Sequence, residues 1–316
     1  MNSRISEKLT RLKKWVKIYG LKNVILRGIY SKAPILPISN NDLLRRMNWQ
    51  FRCRKQLDKY LIVSETDTEK EFHNKYPDTV WWLWLQGSEN APQIVKKCLE
   101  TAYRYAAVNG YKLVELSEAN LFDYVSIPDY VVDKWRSGKI GNATFSDICR
   151  ISLLAEWGGI WVDSTAYLTA PIDPEILDAD FFVFQASFLD LSATKISSWF
   201  IACKNPGNRL ALSIRDSLFN FWKYNDEIND YFIFHLIVAQ LMTKSDLNTE
   251  FENIPYYTNT YPQRLLTKLG SKYDENIISD IIGHSFIHKL TYKGEEELIG
   301  DCENVYNFLM MREEDI

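Results

Sequence analysis

Residues 142–165 read NATFSDICRISLLAEWGGIWVDST, and they constrain the fold of this chain more than any other segment. A helical pattern runs up to a Gly158-Gly159 stop. Ile160-Trp161-Val162 follows as a short apolar run that ends abruptly at Asp163. Helix, glycine turn, buried strand and a carboxylate at the strand's C-terminal end is how an open α/β sheet delivers an acid into a ligand crevice. Of the seven residues before Asp163, all but Glu156 are glycine, aromatic or aliphatic. A carboxylate there is either paired, hydrogen-bonded or cation-coordinating, or it caps the next turn through Ser164 and Thr165. Asp147 and Arg150, three apart, share a helix face. Spacing alone leaves open whether they are a surface ion pair of little worth or part of a site.

The flanking sequence supplies the rest of such a sheet. Residues 80–85 form a β-prone apolar run ended by Gln86-Gly87. Pro92 then opens a helical pattern carrying Val95, Cys98, Leu99, Ala102 and Ala106, and Gly110 stops it. Residues 111–116 read as a second strand, so the three pieces make a βαβ unit with parallel pairing. Further strands are expected at 181–184, 199–203 and 285–290, and helices at 128–136, 209–223 and 230–243. Residues 43–74 read as a charged helical lead-in rather than core. The expected organisation is a basic helical extension over 1–78, one α/β domain over 79–293 and a tail over 294–316 packing on it.

Charge divides this chain unevenly. Its net charge is −4, yet residues 1–55 hold 14 Lys/Arg against 2 Asp/Glu. Apolar residues interleaved there, Leu9, Leu12, Trp15, Val16, Ile18, Tyr19 and Leu21, suit either an amphipathic helix on anionic lipid or a helix packed on the body. No nucleic-acid module accompanies the charge, so nucleic acid is not an expected partner. Five cysteines in no metal or disulfide spacing, with no signal-peptide core and no long apolar run, point to the cytoplasm, with peripheral contact at the inner face of the cell membrane.

The pieces VWWLWLQG, APQIVKKCLE, SDICRISLLAEWGGIWVDST and SFIHKLTYK together resemble the capsular polysaccharide synthesis protein family over about residues 79–293. That family is similar to glycosyltransferase family 32 and, more distantly, to the glucosylating clostridial toxins. The resemblance implies a GT-A fold: a single, mostly parallel sheet flanked by helices, with a nucleotide-sugar at its C-terminal edge. It places Trp84 by the nucleobase, and Gln86 belongs to the substrate-binding set. Asp147 and Arg150 fall on the ribose and the transferred sugar, and Asp163 becomes the first acid of a D-x-D motif that grips ribose or a divalent cation, Mn²⁺ or Mg²⁺. Here the motif reads Asp163-Ser164-Thr165, so a neutral hydroxyl stands where the second acid belongs, and Ser164 and Thr165 join the binding set. The late HKLTYK run offers His288 as a further metal ligand and Lys289 or Lys293 to neutralise the diphosphate; failing convergence of His288 with Asp163, Lys293 and Arg150 would stabilise the leaving group without metal.

Two weaker candidates come from position. Gln185 follows a strand at the same sheet edge, and Asp230 opens a D-Y-F-x-x-H segment with Tyr231, Phe232 and His235. The implied activity is transfer of a hexose from a UDP-sugar, with retention, to a glycan acceptor on a lipid carrier. The alternatives are an inactive nucleotide-sugar- or glycan-binding module, or a scaffold of a polysaccharide assembly complex.

Overall fold

The computed structural model describes residues 42–65, 75–76, 78–186, 193–228, 230–299 and 303–312, with isolated positions 13, 16 and 21. Apart from Lys13, Val16 and Leu21, the amphipathic arm lies outside the described residues. Helix α1 (Asp42–Leu57) is followed by β1 (Thr79–Leu83), α2 (Gln93–Val108), β2 (Lys112–Leu116), α3 (Asp129–Arg136) and α4 (Asn142–Trp157). Then come β3 (Gly159–Val162), β4 (Ala166–Leu168), α5 (Pro174–Asp178), β5 (Phe181–Gln185) and β6 (Ile196–Cys203). The chain continues through α6 (Arg209–Tyr224), α7 (Ile233–Leu241), α8 (Asn248–Glu252), α9 (Glu275–Gly283), β7 (Ile287–Lys289) and α10 (Val305–Met311).

Five strands form the central sheet in the order β2-β1-β3-β6-β5. β1 pairs parallel with both β2 and β3, while β6 runs antiparallel to β3 and β5. Both faces are covered, as the continuous apolar runs require. Alternation sorts the side chains between two cores. Trp81, Leu83 and Trp161 pack with α4, α6 and α7 on one face. Val80, Trp82, Ile160 and Val162 pack with α2, β4, β7 and α10 on the other. The fold class expected from the sequence, an α/β sheet of mostly parallel strands flanked by helices, is the one found.

The Gly158-Gly159 joint is stereochemical. Both residues have positive φ, 70° and 90°, a region side-chain-bearing residues rarely adopt. A Cβ on Gly159 would lie 2.4 Å from the Thr79 carbonyl oxygen, and the Trp81 indole donates to the Gly158 carbonyl at 2.9 Å. The glycines thus let α4 turn into β3 directly against β1.

Some boundaries differ for local reasons. β1 ends at Leu83 because Trp84 begins a turn, its carbonyl accepting from the Gly87 amide at 2.9 Å. α7 starts at Ile233 rather than 230, since Asp230 Oδ1 accepts the Phe232 amide at 3.0 Å and holds a non-helical turn. Residues of the supposed lead-in are core: Cys53 and Leu57 are fully buried in the cluster that holds Trp81 and Trp161. Their spacing of four on α1 gives one buried stripe amid charge. No described helix is long and apolar enough to cross a membrane.

Candidate functional site

Strand order aims the site. The chain leaves β1 for β2 on one side and returns to β3 on the other, so the C-terminal ends of β1 and β3 flank a topological switch point. The residues just beyond them, 84–86 and 163–165, line a cleft of about 700 Å³, a common size for a small-molecule site. β6 runs in the opposite direction, so its first residues, including Ser198 and Trp199, reach the same edge.

α4 forms one wall. Most of this helix is buried, and Asn142, Ala143, Ser146, Asp147 and Arg150 follow its 3.6-residue period as a stripe facing the cleft. Asp147 and Arg150 are no surface pair. Arg150 is 4% exposed, and its guanidinium lies 3.3 Å from Asp147 Oδ1 and 3.8 Å from Asp163 Oδ2. It donates to the Ser146 carbonyl and to the Ser146 and Ser198 hydroxyls at 3.0–3.3 Å, as well as to the Ser198 carbonyl. Its Cζ stands 5.0 Å from the Trp161 ring centre, so a cation–π contact pins the planar fork from below. Burial pushes the Asp147 carboxyl up, with Arg150 and Ser198 opposing.

Asp163 resolves its two sequence readings by satisfying both. Its amide continues the β3–β6 ladder by one rung, donating to Trp199 O at 2.8 Å, and its carbonyl accepts from Ala166. Oδ1 caps the turn, accepting the Thr165 amide at 3.1 Å and the Thr165 hydroxyl at 2.9 Å. The same oxygen is 3.1 Å from Lys289 Nζ. Burial alone would raise this carboxyl, but Lys289, Arg150 and the Thr165 amide bring it down to about 2.

Lys289 arrives through a pairing that the sequence reading does not contain. β4 starts immediately after the Asp-Ser-Thr turn and pairs antiparallel with β7, aligning Ala166 with Lys289. The Leu290 amide donates to Thr165 O at 2.8 Å. Residues 289–293 then line the cleft, with Lys293 exposed and Tyr292 edge-on to Trp84 at 5.5 Å between ring centres. Tyr231, Phe232 and His235 complete the lining. Burial and the nearby Arg150 lower the His235 imidazole to about 3, so it is neutral.

Trp84, Gln86, Asp147, Arg150, Asp163, Ser164, Thr165, Lys289 and Lys293 therefore come together in one cleft. Three sequence candidates do not join them. Convergence of His288 with Asp163 is the open alternative of the sequence, and the strand decides against it: as the neighbour of Lys289, His288 faces the other way. It is fully buried, with Nε2 at 3.3 Å from the Thr169 hydroxyl, and burial lowers its imidazole to about 4. The Gln185 side chain donates to the Pro255 carbonyl at 3.3 Å, away from the cleft lining. Asp230 is not in the cleft lining; it holds the Phe232 amide and accepts from Gln50 at 3.4 Å. Ser146, Ser198 and Tyr292 were missed. Ser146 was readable as one turn before Arg150, whereas Ser198 carries no sequence signal.

The donor set suits a divalent cation poorly. Among the described residues there is no group of three or more His, Cys, Asp or Glu side chains able to hold one. Asp163 Oδ1 already takes three donors, and the Thr165 hydroxyl is committed to Asp163 and Lys289.

Comparison with curated proteins returns no match. Among solved structures, one described as PaToxG Glycosyltransferase aligns over 84% of this chain and 98% of its own at 12% identity, with a TM-score of 0.38, too distant to carry function. The profile of the capsular polysaccharide synthesis proteins matches residues 33–309, which takes in α1, the whole sheet, the cleft and all but the end of α10. By that match, the chain belongs to the capsular polysaccharide synthesis protein family.

Proposed function

We propose that this chain is a glycosyltransferase of GT-A type that moves a hexose from a UDP-sugar to a glycan acceptor, carried on a lipid, in surface polysaccharide assembly. The observation that carries the reading is the convergence of an aromatic pair, an acid–arginine cluster and lysines at the switch-point edge. Each part has a matching piece of a sugar nucleotide. The flat faces of Trp84 and Tyr292 suit a base, the carboxylates of Asp147 and Asp163 accept sugar and ribose hydroxyls, and the cations meet the diphosphate. Trp84 Nε1, Trp199 Nε1 and His235 Nδ1 are buried without a partner among the described residues. Orphans on lining residues fit a site whose remaining hydrogen bonds come from a ligand.

In such a transfer the bond between the anomeric carbon and the β-phosphate oxygen breaks. Its electron pair leaves with the nucleoside diphosphate. A new bond forms from the anomeric carbon to the acceptor oxygen, whose proton passes to the departing phosphate or to water. The main task for the protein is stabilising that developing negative charge. The family resemblance favours retention of anomeric configuration.

Donor hydrolysis tests the reading. Wild-type protein incubated with UDP-hexoses is expected to release UDP and free hexose, and Asp163→Ala to lose that release while still showing a cooperative thermal transition. UDP binding with no sugar released from any donor would mark a non-catalytic module. Wild-type turnover in Asp163→Ala would remove Asp163 from the site.

A further inference from the structure

In a D-x-D site two acids hold a divalent cation, and that cation neutralises the diphosphate. This chain has one acid and one hydroxyl at those places, and it brings its own cation to both. Lys289 Nζ lies 3.1 Å from Asp163 Oδ1, donates to the Thr165 hydroxyl, and is tied to the Leu290 carbonyl at 3.3 Å. The other carboxylate oxygen, Oδ2, faces Arg150 at 3.8 Å. The two oxygens a metal would need first are thus taken by an ammonium and its hydrogen bonds.

Backbone geometry fixes that arrangement. The Asp-Ser-Thr turn runs straight into β4, and Ala166 is in register with Lys289 across the β4–β7 ladder. The ammonium is therefore carried by a strand, only 26% of its side chain is exposed, and no hinge separates it from Asp163. Charge points the same way. Among the described residues, the charged side chains lining the cleft are Asp147 and Asp163 against Arg150, Lys289 and Lys293. A cleft with this cationic excess attracts a polyanion and repels a further cation. The adjacent residue able to ligate metal, His288, faces away.

Resting on the transferase reading above, we infer that Lys289, with Arg150 behind it, occupies the place of the divalent cation, and that this chain binds and cleaves its donor without metal. Lys289 would meet the β-phosphate while keeping Asp163 oriented for the sugar.

The test uses the full chain, UDP and UMP as probes, and Mn²⁺ as the metal. Calorimetric UDP affinity is expected to agree within about twofold in EDTA and in Mn²⁺. Electron paramagnetic resonance of Mn²⁺ with UDP should show no loss of the free Mn²⁺ signal on adding the protein. Lys289→Ala should weaken UDP at least about tenfold while shifting UMP by no more than about twofold, since only UDP has the β-phosphate. The pair Lys289→Ala with Thr165→Asp should restore UDP binding only with Mn²⁺ present. Wild-type UDP binding that requires Mn²⁺, or a protein-dependent loss of the free Mn²⁺ signal, would overturn the inference and leave the transferase reading intact. Absence of binding by UDP, GDP, CDP and dTDP in both buffers would overturn both. Should Lys289→Ala not fold, the two wild-type measurements decide alone.

Discussion

Asp163 and His288 lie within a few residues of the same β4–β7 pairing, and burial acts on them with opposite outcomes. Asp163 has cationic partners, so its carboxyl sits near 2 instead of 3.8; its stabilising share is full above about pH 4 and is lost as the pH falls through 2. His288 has the Thr169 hydroxyl beside Nε2 and a backbone hydrogen bond with Ser285 that only partly offsets burial, and Nδ1 is buried without a partner among the described residues. Its imidazole falls from 6.5 to about 4. Below pH 6.5 the unfolded chain binds a proton that the folded chain refuses, so stability declines as the pH drops from 6.5 toward 4. One such site contributes about 1.4 kcal/mol per pH unit at most. The unfolding free energy from urea titrations is expected to fall over that window, with a smaller slope in His288→Leu. An identical slope in that variant would place the proton uptake elsewhere.

At the scale of elements, the tail after β7 does more than cover a surface. The Glu295 carboxylate is buried and accepts the Ile94 amide at 2.7 Å and the Tyr306 hydroxyl at 2.6 Å. α2 starts after Pro92 with no side-chain cap of its own, so a residue 201 positions later satisfies one of its open amides. Glu295→Ala is expected to lower stability by about 1–2 kcal/mol in urea unfolding, with Glu295→Gln losing less; no change would make the contact incidental. Such long-range pieces mark the limit of what the sequence shows. β1, α2, β2, α4 and β3 could be read because apolar period and glycine stops are local. Asp147, Arg150 and Asp163 were legible for the same reason. β4 is three apolar residues with no period of its own, so nothing revealed that it pairs with β7. Lys289 could be named from the resemblance, but which way His288 faces depends on a one-residue register that only the pairing decides.

For the whole molecule, the charge asymmetry is a fact of sequence that the described residues leave unaccounted for. The basic residues before position 41 precede a body rich in Asp and Glu. Their attraction to an anionic surface is electrostatic and salt-dependent. Deleting residues 1–40 is expected to reduce sedimentation with phosphatidylglycerol vesicles at low salt by about tenfold, while donor hydrolysis in solution persists; equal vesicle binding by both proteins would refute a membrane role for the arm. Chain order has another consequence. Asp163 and Lys289 are 126 positions apart, and the turn around Asp163 is complete long before β7 has been made. During synthesis the emerging chain therefore carries its acid without the ammonium that matches it, and the site acquires its working charge only when the last strand leaves the ribosome. A product cut short before residue 289 would leave Asp163 with Arg150 alone of its two cationic partners.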